Sequence, residues 1–253
     1  MTNTSKKDTL SKPSPLRGDK RGALYLIPNT LGDSPVEYNL PQVNIKIIRD
    51  LKYFIVENIR TARRFLKKVD RDINIDELTF FLIDKHTKPD EYPSYLTPAM
   101  QGHSIGVLSE AGCPGVADPG ADIVKIAHQK GIRVIPLIGP SSILLSLMAS
   151  GMNGQNFAFV GYLPVKKGET AKAIRDVEQR SIHLKQTQIF IEAPYRNAKL
   201  LQNIVAYCKP QTRLCITCDI TLETEYIVTK TIREWKGNLP DINKRPTIFL
   251  TQG

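Results

Sequence analysis

Short apolar runs, each closed by a polar or glycine-containing loop, recur through the first two thirds of the chain. Residues 23–27 form the first, ended by Pro28. Residues 53–56, 79–83, 105–108 and 132–137 repeat the pattern. Runs this short, rich in Ile, Val, Leu and aromatic residues, predict buried strands. Between them lie segments with helical spacing: residues 44–51, a basic stretch at 61–68, and an amphipathic stretch at 122–129 stopped by Lys130-Gly131. Gly139-Pro140-Ser141-Ser142 then opens an apolar helix that runs through Ala149. Strands joined by helices imply parallel pairing with right-handed crossovers.

The order changes after residues 157–164, which read as a strand and a hinge. A basic amphipathic helix is expected over 170–180, a strand over 188–192 ended by Ala193-Pro194, and a helix over 197–208. Three further strands, 214–218, 226–229 and 247–251, have few helices between them, which predicts a partly antiparallel second sheet. The expected architecture is two α/β domains. The N-terminal one, 22–164, carries a mostly parallel sheet, and the C-terminal one, 165–253, a mixed sheet, with the boundary near Pro164. Residues 1–21 show no periodicity and are expected to be a disordered basic tail.

Composition narrows the function classes. The chain has 253 residues, 41% hydrophobic and 24% charged, which suits one large globular domain or two small ones. No apolar run approaches the roughly 18–20 residues of a membrane helix, and residues 1–21 lack the apolar core of a secretory signal. Four cysteines are too few for a disulfide scaffold at this length, so a reducing, cytoplasmic setting is expected. Lys and Arg number 35 against 25 Asp and Glu, a net +10. The segment 1–21 holds six basic and two acidic residues, +4 of that total, so more than half of the excess lies in the folded part. Such an excess favours polyanionic partners, although a basic enzyme with no nucleic-acid role would look the same.

In open parallel sheets, ligands bind outside the carboxyl ends of the strands. Four loops qualify, beginning at Pro28, Glu57, Ser109 and Gly139. The loop 109–120 is the strongest candidate. Gly112, Gly115 and Gly120 let backbone approach a ligand closely, and Asp118 can accept from hydroxyl groups; the plainer reading is that these glycines only serve turns. Ser141 and Ser142 stand at a helix start, where Ser141 alone is better explained as an N-cap. Glu57, ending a strand, suits a general base or a substrate-binding carboxylate, and equally a salt bridge to Arg60 or Arg63. Arg60, Arg63, Arg64, Lys67 and Lys68 make a basic helix that is either a solvated face or a phosphate-binding one. Neither a dinucleotide-binding glycine fingerprint nor a P-loop is present. Cys215 and Cys218 stand alone and would point to opposite sides of a strand, so buried thiols and no metal are expected. His86, just past a strand, reads as an ordinary polar residue.

Taken together, these stretches resemble the tetrapyrrole methylase superfamily of S-adenosylmethionine (SAM) dependent methyltransferases, and within it the bacterial branch that 2′-O-methylates cytidine in small-subunit ribosomal RNA. The resemblance rests on residues 24–28, the loop 109–120, residues 131–142 with their Gly-Pro-Ser motif, Phe159-Val160-Gly161-Tyr162-Leu163-Pro164, and Glu192-Ala193-Pro194-Tyr195-Arg196. It spans about residue 24 to the C-terminus. It implies a cytosolic homodimer with SAM in the cleft between two α/β domains. It also implies a pocket lined by Pro28, Glu110, Ala111, Gly112, Val116, Ser141, Ser142, Tyr162, Pro194 and Thr247, to which the chemistry of its loop adds Asp118. Glu57, ending a strand, and Arg60 and Arg63, on the first turns of the basic helix, are expected by position on the RNA side. Methyl transfer from a sulfonium needs no metal. Two loops depart from the branch pattern: Pro-Thr-Pro-Ile-Gly-Asn is here Pro28-Asn29-Thr30-Leu31-Gly32-Asp33, and Glu-Asp-Thr-Arg is here Glu57-Asn58-Ile59-Arg60. Two other readings remain open at this level, methylation of a small acceptor such as a tetrapyrrole, and an inactive paralogue that binds SAM or RNA without turnover.

Overall fold

The computed structural model describes residues 21–84, 86–166 and 168–253. The tail expected over 1–21 lies outside the described residues except for Arg21, whose guanidinium donates to the Lys130 carbonyl at 2.9 Å. The chain forms two compact units. One holds the described residues up to Thr30 together with Pro35–Pro140, the other Leu31–Ser34 with Ser141–Gly253.

In the first unit the order is β1 (Leu24–Ile27), α1 (Val36–Asn39), α2 (Gln42–Asp50), β2 (Tyr53–Val56), α3 (Ile59–Val69), β3 (Thr79–Leu82), α4 (Tyr92–Tyr95), α5 (Thr97–Met100), β4 (Ile105–Leu108), α6 (Gly120–Gln129) and β5 (Val134–Pro136). The strands pair in the order β3-β2-β4-β1-β5, every pair parallel. Alternation along each strand feeds two cores. Tyr25, Ile27, Phe54 and Val56 pack with Ile45, Ile48, Phe65 and Leu66 from α2 and α3 on one face. Leu24, Ile55, Ile105 and Val107 pack with Leu96, Ala99, Ile123 and Ala127 on the other. A sheet covered on both faces explains why its strands read as unbroken apolar runs.

The second unit contains α7 (Ser142–Ser150), β6 (Phe157–Tyr162), α8 (Glu169–Leu184), β7 (Thr187–Ile191), α9 (Asn197–Tyr207), β8 (Arg213–Cys218), β9 (Tyr226–Thr231), α10 (Ile232–Trp235) and β10 (Thr247–Gln252). Its strand order is β6-β7-β10-β8-β9. Only β6 and β7 are parallel, and the other three pairs are antiparallel. The mixed sheet is as expected, but the division of the chain differs. Because β6 pairs with β7 and α7 contributes Leu147 to a core with Ile189 and Leu250, residues 141–164 go with the second unit rather than the first. The apolar character of α7 hid this, since it suits either sheet.

On the opposite face of this sheet, Phe190 and Phe249 stack at 5.8 Å among residues of α8, α9 and α10. Trp235 is fully buried there and satisfies its indole N–H on the Leu214 carbonyl at 3.0 Å. Cys215 and Cys218 fall in the two different cores, on opposite faces of β8, so they cannot share an ion. Burial raises the pKa of both thiols.

One buried charge ties α8 to the turn before β8. Glu178 is 2% exposed, and a single carboxylate oxygen accepts from the Lys209 N–H at 2.7 Å and from the Thr212 hydroxyl at 2.5 Å. The neighbouring Cys208 thiol is pushed up to about 12, by burial first and then by the Glu178 charge. Glu178→Ala leaves both donors unmet and should cost about 1–3 kcal/mol, read as a lowered urea midpoint. Glu178→Gln keeps an acceptor oxygen and should lose less.

Candidate active site

Strand order reverses between β1 and β4. From β1 the chain passes to α2 on one face of the sheet, and from β4 to α6 on the other. A crevice at the carboxyl ends of such a strand pair is the expected ligand position in a parallel sheet. Here the two exit loops are stitched together. Asn29 N–H donates to the Gly112 carbonyl at 2.9 Å, and Gly112 N–H returns a bond to the Asn29 carbonyl at 3.2 Å. The buried Asn29 amide also donates to the Ser109 and Glu110 carbonyls at 3.2 and 3.1 Å, and its oxygen accepts from the Thr30 N–H at 2.8 Å. Gly112 takes φ +69°, a conformation in which a Cβ is strained. At Gly139, beyond β5, a Cβ would stand 2.2 Å from the Pro28 ring, so glycine is required for these loops to pack.

The turn Glu110-Ala111 stands exposed above this base, and Val116 is 49% exposed nearby in the chain. Asp118 closes the loop below them. One of its oxygens accepts from the Gly115 and Gly120 N–H groups at 2.8 and 2.7 Å. Its other oxygen is buried with no hydrogen-bond partner among the described residues. Burial raises the Asp118 pKa above the ordinary carboxylate range, against the lowering effect of the two N–H groups. The first task of Asp118 is thus to shape its own loop.

Glu57, at the end of β2, lies on the same rim. It accepts the Glu110 N–H at 3.4 Å and forms no ion pair among the described residues, so the internal bridge to Arg60 or Arg63 is not what holds it. Its pKa is raised, chiefly by burial and further by the charges of Asp118 and Glu110, while the Glu110 N–H works the other way. Asn58 caps α3, accepting from the Arg60 and Thr61 N–H groups at 2.9 and 3.3 Å. The Thr61 hydroxyl then reaches the Glu110 carboxylate. Arg60, Arg63, Arg64, Lys67 and Lys68 all face solvent along α3, with Arg63 over the Phe80 ring at 5.6 Å. The structure therefore brings Pro28, Glu57, Glu110–Gly112, Asp118 and the start of the basic helix to one end of one sheet. Asn29 and Thr61, which tie this group together, were not singled out by sequence; a lone amide after a strand carries no distinctive pattern.

The remaining expected positions belong to the second unit. Ser141 caps α7 through the Leu144 N–H at 3.5 Å. Tyr162 pairs with Ile191, and Ile248 also pairs with Ile191, so Tyr162, Pro194 and Thr247 share one end of the second sheet. His86 is exposed, and its N–H donates to Asp84 at 2.8 Å.

Among solved structures, the methyltransferase CobJ superposes with a TM-score of 0.61 at 16% identity, covering 92% of this chain and 94% of that one. Uroporphyrin-III-C-methyltransferase from Thermus thermophilus gives 0.51 at 17% identity, covering 92% of each. The chain has the tetrapyrrole methylase fold. Curated relatives in sequence carry the name ribosomal RNA small subunit methyltransferase I. The protein of that name from Streptococcus pyogenes serotype M6 is 30% identical over 79% of this chain and 65% of its own length. Those from Vibrio cholerae and Haemophilus influenzae are 27% and 29% identical, over 91% and 93% of this chain and 77% and 80% of theirs. The chain spans about two thirds of the streptococcal relatives it matches. No family model matches it. The tetrapyrrole methylase fold expected from the resemblance is borne out, and the relatives that match most of the chain are named small-subunit ribosomal RNA methyltransferases.

Within this tetrapyrrole methylase fold, Asn29 is the tie most open to test. Asn29→Ala removes both donors to the 109–110 carbonyls and should lower stability by about 1–3 kcal/mol, seen as a lower denaturant midpoint. Asn29→Asp sets a carboxylate against the same carbonyls with no proton to give. Its folded-state pKa would be raised, so its stability should recover as the pH falls through that value and worsen as the pH rises.

Proposed function

We propose that this chain is a SAM-dependent methyltransferase acting on a ribose 2′-hydroxyl of small-subunit ribosomal RNA. The observation that carries the reading is the match, along most of the chain, to small-subunit ribosomal RNA methyltransferases that differ in length and source. The fold and the net charge of +10 support it. Cytoplasmic residence follows from the same reading; among the described residues no helix is long and apolar enough to cross a membrane.

The residues present fit the cofactor. SAM carries a sulfonium and an ammonium group, and the rim over β2 and β4 is acidic, with Glu57 and Glu110 and, buried beneath them, the unpartnered oxygen of Asp118. Exposed Val116 and the backbone of Ala111-Gly112 offer an apolar edge and a close main-chain approach. In this reading Pro28, Glu110–Gly112, Val116 and Asp118 of the first unit hold the cofactor. SAM supplies an electrophilic methyl group when bound. The chain's own work is to bind, orient and deprotonate the acceptor. Arg60 and Arg63 on the basic face of α3 hold phosphate oxygens flanking the target ribose. Glu57 takes the proton of the hydroxyl as general base, its raised pKa bringing it closer to the operating pH. A homodimer accords with the resemblance and with α7, which exposes Leu144 and Met148 at 51% and 78%, apolar surface of the kind that marks an interface.

The purified chain should transfer labelled methyl from SAM to unmodified small-subunit ribosomal RNA and not to a tetrapyrrole. Transfer to the tetrapyrrole alone would favour the small-acceptor reading, and SAM binding with no transfer the inactive one. The pH profile offers a second check. Because the base works deprotonated and its pKa is raised, the rate should fall as the pH drops through a value above the usual glutamate value of about 4.3. Glu57→Gln should abolish that limb and lower kcat by about 10²–10⁴-fold. A profile unchanged in Glu57→Gln would remove the assignment.

A further inference from the structure

A second cluster of exposed groups stands on the second unit, at the carboxyl end of β7. Its backbone is fixed from several directions. Pro194 begins a single 3₁₀ turn, Pro194–Arg196, that leads into α9, and the Arg196 N–H closes it on the Ala193 carbonyl at 2.8 Å. The Lys244 N–H donates to the Pro194 carbonyl at 3.0 Å, and the buried Asn197 amide donates to the Arg245 carbonyl at 2.6 Å. The loop before β10 thus clamps the turn at both of its ends.

The side chains on this rigid turn are arranged outward. Glu192 is 8% exposed, and one of its oxygens takes three bonds: from the Ala193 N–H at 2.7 Å, and from Nε and Nη2 of Arg196 at 2.9 and 2.6 Å. Arg196, whose side chain is 37% exposed, is therefore held by one edge of its guanidinium, and its other edge keeps its donors. The held guanidinium lies over the Tyr195 ring, 5.1 Å from its centre. Tyr195 itself is 66% exposed. A large aromatic ring fixed at the surface, with a cation on one side, is costly to leave in water and adds nothing to either core of its unit.

We infer that Tyr195 and Arg196 form a nucleotide-binding platform for the RNA substrate, Tyr195 stacking on a base and the free edge of Arg196 gripping an adjacent phosphate. This rests on the RNA reading above and adds to it a contact on the second unit, apart from the basic helix α3. A planar ring that loses few rotamers on binding is suited to any base, and a guanidinium already fixed on one edge presents the other in a set orientation to phosphate oxygens. The geometry selects an unpaired nucleotide, since a base inside a duplex has no free face to offer. Tyr195 takes no part in holding the cofactor in this assignment.

Fluorescence anisotropy with two labelled strands of equal length tests it, one an ordinary single-stranded RNA and the other carrying no bases. Tyr195→Ala should weaken binding of the RNA about tenfold and leave binding of the base-free strand unchanged. Tyr195→Phe and Tyr195→Trp should bind as the wild type does. Arg196→Gln should weaken both strands. SAM affinity by calorimetry should be the same in Tyr195→Ala and wild type. If Tyr195→Ala binds RNA like the wild type while Arg60→Ala and Arg63→Ala bind it less well, the platform is wrong and the RNA reading stands. Equal loss on both strands, or a loss of SAM affinity in Tyr195→Ala, also overturns the platform. If the wild-type protein binds neither strand, the RNA reading falls with it.

Discussion

Strands β1 and β4 run side by side, yet the chain leaves them toward different neighbours and different faces of the sheet. Two loops that part in this way have unmet backbone groups at their roots, and buried groups of that kind must find partners. Asn29 provides them. Its main chain forms a two-bond bridge with Gly112, and its side chain satisfies the Ser109 and Glu110 carbonyls. The candidate site is built on this bridge. It fixes the height of the Glu110-Ala111 turn, and the Glu110 N–H and carboxylate in turn engage Glu57 and Thr61. Capping of α3 by Asn58 then sets where the basic helix begins.

The electrostatics of the rim follow from the same arrangement. Three carboxylates gather where two strand ends and a loop converge, and partial burial raises the pKa of both Glu57 and Asp118. Such a rim is unfavourable for folding unless a cation or a proton visits it, and perturbed carboxylates in a crevice are a mark of functional sites. On the second unit the logic is reversed. Buried Glu192 neutralises part of Arg196 and holds it in one pose, which leaves a directional cation beside an exposed ring. One unit gathers negative charge at its rim, and both present exposed arginines.

Much of this was legible in the chain itself. The apolar runs located all five strands of the first sheet, and the doubly covered sheet explains why they read so cleanly. The loop 109–120 stood out by its glycines, two of which, Gly112 and Gly115, do take positive φ. The boundary between units was harder. A short apolar helix such as α7 carries no mark of which sheet it covers, and only the pairing of β6 with β7 settles it. The short turns of helix at Val36–Asn39, Tyr92–Tyr95 and Ile232–Trp235 are too brief for periodicity to register. Asn29 and Thr61 act through partners roughly 50 to 80 residues away, a distance at which local pattern is silent. Asp118 is expected from the sequence to accept from hydroxyl groups, and its first partners are instead the N–H groups of its own loop.

The proposed reaction is methyl transfer to one ribose of the small-subunit RNA. Nucleotide-resolution mapping of ribose methylation, in cells with and without this protein, tests it most directly. A single 2′-O-methyl mark that disappears from the small-subunit RNA with the protein and returns with the wild-type gene, but not with Glu57→Gln, is the predicted result. An unchanged methylation map in its absence would overturn the proposed reaction.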